Sequence, residues 1–312
     1  MNKKYPYFDS HCDTLSKLFS KKASLNNTNC MVNISHLKKY DGAAQVFAIY
    51  NNGTLTHNDI ISHISYLKKE CESYNGFISF AMGADEITRN RSREIISALL
   101  SIESLGSQKD LTLENIGEYK ALGVIIMSLC HNNDNALCGG ISNNNKGISL
   151  LGKVVLRQMQ KHKVILDVSH ISEKGFWEAM EEYSLPFMAT HSNSRSVCNN
   201  PRNLTDSQFM CLVKRGGLCG INFCPEFLCD KNADIDSVVG HIDYFMSLGG
   251  ENSICIGSDF DGIEKTSLGL ENAGCVYRLF DKLLSINYNE SLVNKIAFSN
   301  FHNFFKKYET LT

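Results

Sequence analysis

Proline is scarce: four residues in 312 leave no stretch that could act as a stiff spacer, and no repeat or compositional break divides the chain. One unit spanning residues 1–312 is therefore expected. Long apolar runs are missing as well. The longest, such as Leu122 to Cys130, fall far short of the roughly 18 residues a membrane span requires. Neither charge is in excess: 31 Lys and Arg against 33 Asp and Glu give a formal charge of -2, which excludes a general attraction to nucleic acid or to an anionic membrane. A small-molecule partner is the expectation that remains. Lys3 and Lys4 are not followed by the apolar segment of a secretory signal, and the tail through Phe304-Phe305-Lys306-Lys307 is too polar for a lipid-anchor signal, so a cytoplasmic location is expected. There is no Cys-x-x-Cys pair among the twelve cysteines. Cys219, Cys224 and Cys229 come at intervals of five, which does not suit a zinc ribbon, and the thiols are expected to be reduced and buried.

What the chain does contain is alternation. Short apolar runs bounded by polar turns fall near residues 7–10, 43–50, 97–103, 123–130, 163–169, 186–190, 217–224 and 253–258. Most are separated by helical spacing, over Ile60–Tyr74, Leu113–Leu122, Leu150–Lys161, Glu173–Tyr183, Ser207–Arg215, Ile235–Leu248 and Ala273–Leu284. Strands joined by crossover helices run parallel, and eight of them suggest closure into an α/β barrel, which fits the chain length. Phe77–Met82 is either a ninth strand or a substitute for one of the eight. The polar stretch from His131 through Asn145 reads as a loop over the mouth.

Metal-ligand residue types recur where the apolar runs end. His11-x-Asp13 follows the first, Glu103 closes the third, His170 and His191 follow the fifth and sixth, and Asp259 follows the last. In a barrel these strand ends converge on one mouth. Two residues apart on a strand, His11 and Asp13 would share a face, and Glu103 could bridge with its two oxygens to a second position held by His170 and His191. Two divalent cations held this way would bind a water between them, lower its pKa and clamp the oxyanion formed when it attacks an amide. Asp259 is placed to act as the base and His131 to steady the oxyanion. Strand period alone does not choose between Asp259 and Asp261. Asp9 and Asp167 read as supporting or structural residues, and His36, His57, His63, His162, His241 and His302 as structural.

With these residues laid out, the chain resembles the membrane (renal) dipeptidase family of zinc metallopeptidases, a branch of the amidohydrolase superfamily. The resemblance runs over about residues 5 to 305. It is carried by Asp9-Ser10-His11-Cys12-Asp13, Asp167-Val168-Ser169-His170, His191-Ser192-Asn193-Ser194-Arg195, Arg202-Asn203-Leu204-Thr205-Asp206 and Gly257-Ser258-Asp259-Phe260-Asp261-Gly262. It implies a distorted (β/α)8 TIM-like barrel and two zinc ions (Zn2+) per chain: His11 and Asp13 on one, His170 and His191 on the other, Glu103 bridging. It also implies that Asp259 acts on the bridging water, that His131 holds the carbonyl oxygen, and that Arg202 holds the free carboxylate of a dipeptide substrate, including dipeptides with a C-terminal D-residue. A homodimer is a further expectation of the resemblance. The chain departs from the family at Ser104-Leu105-Gly106, where glycine usually follows the bridging glutamate at once. A different metal-dependent amidohydrolase, acting on a cyclic amide, a lactone or an N-acyl amino acid, is the alternative; those relatives more often begin with His-x-His and bridge through a modified lysine. A barrel without catalysis, serving as a scaffold, would be marked by a missing ligand, and none is missing here.

Overall fold

Eight parallel strands close into a barrel in a computed structural model that describes residues 5–229 and 231–311; Lys3 and Lys4 lie outside the described residues. The strands, in chain order, are β1 (Tyr7–Cys12), β2 (Ala43–Tyr50), β3 (Ile78–Phe80), β4 (Ile96–Glu103), β5 (Val124–Ser128), β6 (Ile165–Asp167), β7 (Met188–Ala189), β8 (Leu218–Ile221) and β9 (Ile254–Ile256). Neighbours pair in the order β2-β1-β9-β8-β7-β6-β5-β4, and β2 pairs with β4 to complete the ring. All eight residues of β4 are buried, as expected of a strand covered on both faces.

The run at Phe77–Met82 does form a strand, β3, but it stands outside the ring. It pairs with β4 at Ile96, Ser97 and Ala98, whereas β5 pairs with β4 only from Leu100 onward. β2 occupies the other edge of β4 along its whole length, so β3 and β5 divide one edge between them. This wedge distorts the barrel.

Helices cover the outside of the ring, and most start where a side-chain cap is encoded. Ser149 accepts from Gly152 N and starts Leu150–Lys161, Ser172 accepts from Gly175 N and starts Glu173–Glu182, and Thr205 with Gln208 forms a capping box before Asp206–Lys214. The expected helix at Ala273–Leu284 begins later, at Tyr277, after a 3-10 turn over Ala273–Cys275. The helix Asn300–Glu309 was not anticipated, and it closes the floor of the barrel. Phe301, Phe304, Phe305 and Tyr308 pack there with Phe8, Val46, Leu99, Ile126, Met188 and Leu218, and the Phe301 ring stacks on Phe8 with centroids 4.0 Å apart. The floor is therefore hydrophobic and filled, leaving the opposite end for the site. All twelve cysteines are free and nine of them are buried. Among the described residues no helix is long and apolar enough to cross a membrane.

Candidate active site

Five strand exits bring six of the expected residues together. His11 lies at the end of β1 and Asp13 just beyond it; Glu103 ends β4; His170 and His191 follow β6 and β7; Asp259 follows β9. His11 Nε2 lies 3.5 Å from Asp13 Oδ2, 3.8 Å from Glu103 Oε2 and 3.9 Å from Asp259 Oδ1. On the other side Glu103 Oε1 lies 2.9 Å from His170 Nε2 and 3.7 Å from His191 Nε2. The two oxygens of one carboxylate thus face two separate imidazole groups.

The backbone explains why most of the strands end short of their ligands. His170 and Asp259 have φ of 69° and 63°, in the left-handed region that no strand continues through. The even spacing of His11 and Asp13 does not act as a strand period either. The β1–β2 register shifts between Asp9 and Cys12, and Asp13 is the residue that starts the helix Thr14–Lys21. Ser104 also takes a left-handed φ of 67°, a conformation glycine adopts without a Cβ penalty, at the position where the resemblance leads one to expect glycine.

Neighbouring residues fix the orientation of these candidate ligands. Thr190 Oγ1 donates to Asp167 Oδ2 at 2.6 Å and lies 2.8 Å from His191 Nδ1, which directs the His191 Nε2 lone pair into the site. His170 Nδ1 lies 2.8 Å from Asn132 Oδ1, an acceptor that requires the hydrogen on Nδ1 and so frees Nε2 in the same way. Asp9 holds the exits of β1 and β9 together by accepting from Ser258 Oγ at 2.5 Å and Ser258 N at 3.0 Å. Asp261 lines the same cavity but is bonded to Thr14 and Lys17, whereas Asp259 is the one that approaches His11. Asn222 Nδ2 donates to Asp259 Oδ2 at 3.0 Å.

The donor set fits divalent cations. Buried His11 Nε2 and Asp13 Oδ1 have no hydrogen-bond partner. His170 Nε2 and His191 Nε2 face each other at 2.8 Å, an arrangement in which two lone pairs repel unless a cation or proton lies between them. Burial drives the pKa of both imidazoles well below the usual value, aided by the Arg202 charge, so both are neutral and able to ligate. Burial alone would lower His11 too, but the carboxylates of Asp13, Glu103 and Asp259 raise it to about 10: this position attracts positive charge. Burial pushes Asp259 up to about 6 and Glu103 well above the carboxylate range, a cost that nearby dications would offset. Two groups of ligand atoms, His11 with Asp13 and Glu103, and Glu103 with His170 and His191, each lie within 4.8 Å of one another, as does a third group of His11, His191 and Asp259.

Above them opens a cavity of about 880 Å³, lined among others by Tyr50, His131, Asn132, Cys224 and Phe227. Burial and the nearby Arg202 lower His131 to about 4, so its ring is neutral and keeps one N–H to donate. Arg202 is buried behind the histidines. It donates to Ser192 Oγ at 3.0 Å and the His191 carbonyl at 3.0 Å, and its Nε lies 3.2 Å from His170 Nδ1. Among the described residues it has no carboxylate within ion-pair distance; Asp259, Asp167 and Glu103 act on the buried cation only from further away.

Gly262 backs the site. A Cβ there would overlap Asp13 Oδ2 and come within 2.6 Å of Asp259 Oδ1, so any side chain displaces one or both carboxylates. Gly262→Ala is expected to weaken divalent-cation binding by about 10- to 100-fold, read by competition with a chromophoric chelator. Unchanged affinity would mean that the carboxylates have room to shift.

The family model for membrane dipeptidase, peptidase family M19, matches residues 1–312. An uncharacterized protein in the pqqA 5′ region of Klebsiella pneumoniae is 29% identical over 76% of this chain and 91% of its own length. An uncharacterized dipeptidase of Schizosaccharomyces pombe is 30% identical over 72% of this chain, and the alignment spans only 56% of that longer protein. The fold is shared with a metallo peptidase from Rhodobacter sphaeroides liganded with a phosphinate mimic of the dipeptide L-Ala-D-Ala, at 20% identity and a TM-score of 0.88, over 97% of this chain and 99% of the other. By its sequence over its whole length, and with the barrel to match, the chain belongs to the membrane dipeptidase family of metallopeptidases.

Proposed function

We propose that this protein is a dipeptidase that hydrolyses the peptide bond of dipeptides with two zinc ions, His11 and Asp13 holding one, His170 and His191 the other, and Glu103 contacting both. The observation that carries the reading is the convergence of those five side chains under one cavity, with Glu103 Oε1 toward His170 and Oε2 toward His11. When bound, such a pair supplies Lewis-acid polarisation of the scissile carbonyl and acidifies the attacking water.

The chain's own residues do the rest. Asp259 takes up the proton of the attacking water on Oδ1, while Asn222 holds Oδ2, and then returns it to the leaving amine. His131, neutral, donates its N–H to the carbonyl oxygen as negative charge develops there. Arg202 receives the substrate's free carboxylate, which gives the guanidinium a direct ion-pair partner and limits cleavage to a peptide bond one residue from the C-terminus. The L-Ala-D-Ala mimic bound by the Rhodobacter protein supports including dipeptides with a C-terminal D-residue.

The test is metal analysis together with a panel of dipeptides in both stereochemical series, set against N-acyl amino acids and lactones. Two zinc ions per chain and turnover of dipeptides are expected. A fully loaded protein that cleaves no dipeptide but opens lactones or deacylates amino acids would overturn the reading.

A further inference from the structure

Asp261 is a fully buried carboxylate next to the site, yet it faces none of the ligands. It accepts from Thr14 Oγ1 at 2.5 Å, from Lys17 Nζ at 2.6 Å and from Met31 N at 3.1 Å, and Val32 N lies 3.4 Å away. Its backbone is left-handed, with φ of 67°, a conformation that costs a non-glycine residue energy and is retained only where the surroundings hold it. Such a concentration of donors on one side chain is more than a surface turn requires.

The bonds that lead to Asp261 form a ladder between the two chain segments that carry Asp13 and Asp259. Asp259 N donates to the His11 carbonyl at 3.2 Å, and Asp13 N donates to the Phe260 carbonyl at 2.9 Å. The next rung is Thr14 Oγ1 to Asp261. Ligand residues and rungs therefore alternate along both segments, and Asp261 is the last tie before the two diverge. Met31 N and Lys17 Nζ hold it as well, contacts that involve none of the candidate ligands.

We propose that Asp261 is a positioning residue: through Thr14 it sets the separation of the Asp13 and Asp259 carboxylates, and with it the affinity of the cation position formed by His11, Asp13 and Glu103. The position formed by Glu103, His170 and His191 is reached from other strands and is not governed by this ladder. The proposal rests on the two-metal reading above. It adds to that reading a residue that touches neither cation nor substrate.

The test uses full-length apoprotein titrated with Zn2+ against a chromophoric chelator, with circular dichroism to confirm folding. Asp261→Asn keeps the size of the side chain but removes the charge facing Lys17 and presents an amide N–H to backbone donors. One of the two cations is expected to bind about 10- to 100-fold more weakly and the other to stay within about twofold. Thr14→Ala, a milder change that cuts only the last rung, is expected to weaken the same cation by about threefold to tenfold. Equal loss of both cations, or a folded Asp261→Asn with both affinities unchanged, would overturn the proposal. If Asp261→Asn does not fold, unchanged affinities in Thr14→Ala overturn it instead. Wild-type protein that takes up fewer than two cations would overturn the two-metal reading and this proposal with it, whereas two cations in wild type and unaffected variants would overturn the proposal alone.

Discussion

Glu103→Ala should reduce kcat/KM by about 10³-fold, because a bridging pair of dications contributes several kcal/mol of charge stabilisation and each ~1.4 kcal/mol is a factor of ten. Its two oxygens lie 2.9 Å from His170 Nε2 and 3.8 Å from His11 Nε2, one toward each group. Metal content should fall together with activity. Glu103→Gln should follow alanine closely: it keeps the length of the side chain but offers one oxygen in place of two and no charge. Metal analysis and steady-state kinetics on the same preparations check this. An alanine variant with its full metal content and activity within tenfold of wild type would remove Glu103 from the centre of the mechanism.

Arg202→Met should lower kcat/KM for dipeptides by about 10²-fold, since each charge-assisted hydrogen bond to a carboxylate contributes about 1.5–3 kcal/mol. The variant also loses bonds to Ser192 and the His191 carbonyl and its contact with His170, so a fall in rate alone does not isolate the carboxylate contact. The ratio of turnover on a free dipeptide to turnover on its C-terminal amide does isolate it. Wild type should prefer the free acid by about the same 10²-fold, and the variant should show almost no preference. A strong preference that survives in Arg202→Met would place carboxylate recognition elsewhere in the cavity.

The barrel was legible because its strands are buried on both faces and so read as unbroken apolar runs; β4, all of whose residues are buried, is the clearest case. What the pattern did not convey was where those runs stop being strands. Residues 163–169 read as one strand, but β6 ends at Asp167, and by His170 the chain has turned into a left-handed conformation to aim the imidazole. His11 and Asp13 were found through a strand period that does not hold there, and what actually brings them together is the turn into the next helix. Asn222 carries the same signal as the candidate ligands, a polar residue closing an apolar run, but an amide is not a metal-ligand type and its role shows only in the bond to Asp259. Thr190 and Asn132 gave no such signal: their roles depend on contacts across the mouth that no local spacing encodes. The helix Asn300–Glu309 had its aromatic residues at helical spacing, but nothing in that spacing says that it fills a floor built from the other strands.

That filled floor ties the two ends of the polypeptide to each other. β1 pairs with β9, and the rings of Phe301 and Phe8 stack although nearly the whole chain separates them in sequence. Contacts so remote along the chain are slow to form and come late. Until the helix Asn300–Glu309 leaves the ribosome, the nascent protein holds an open, apolar-lined trough that invites chaperones or aggregation. Premature stops upstream of Asn300 should therefore yield products removed by proteolysis rather than weakened enzymes.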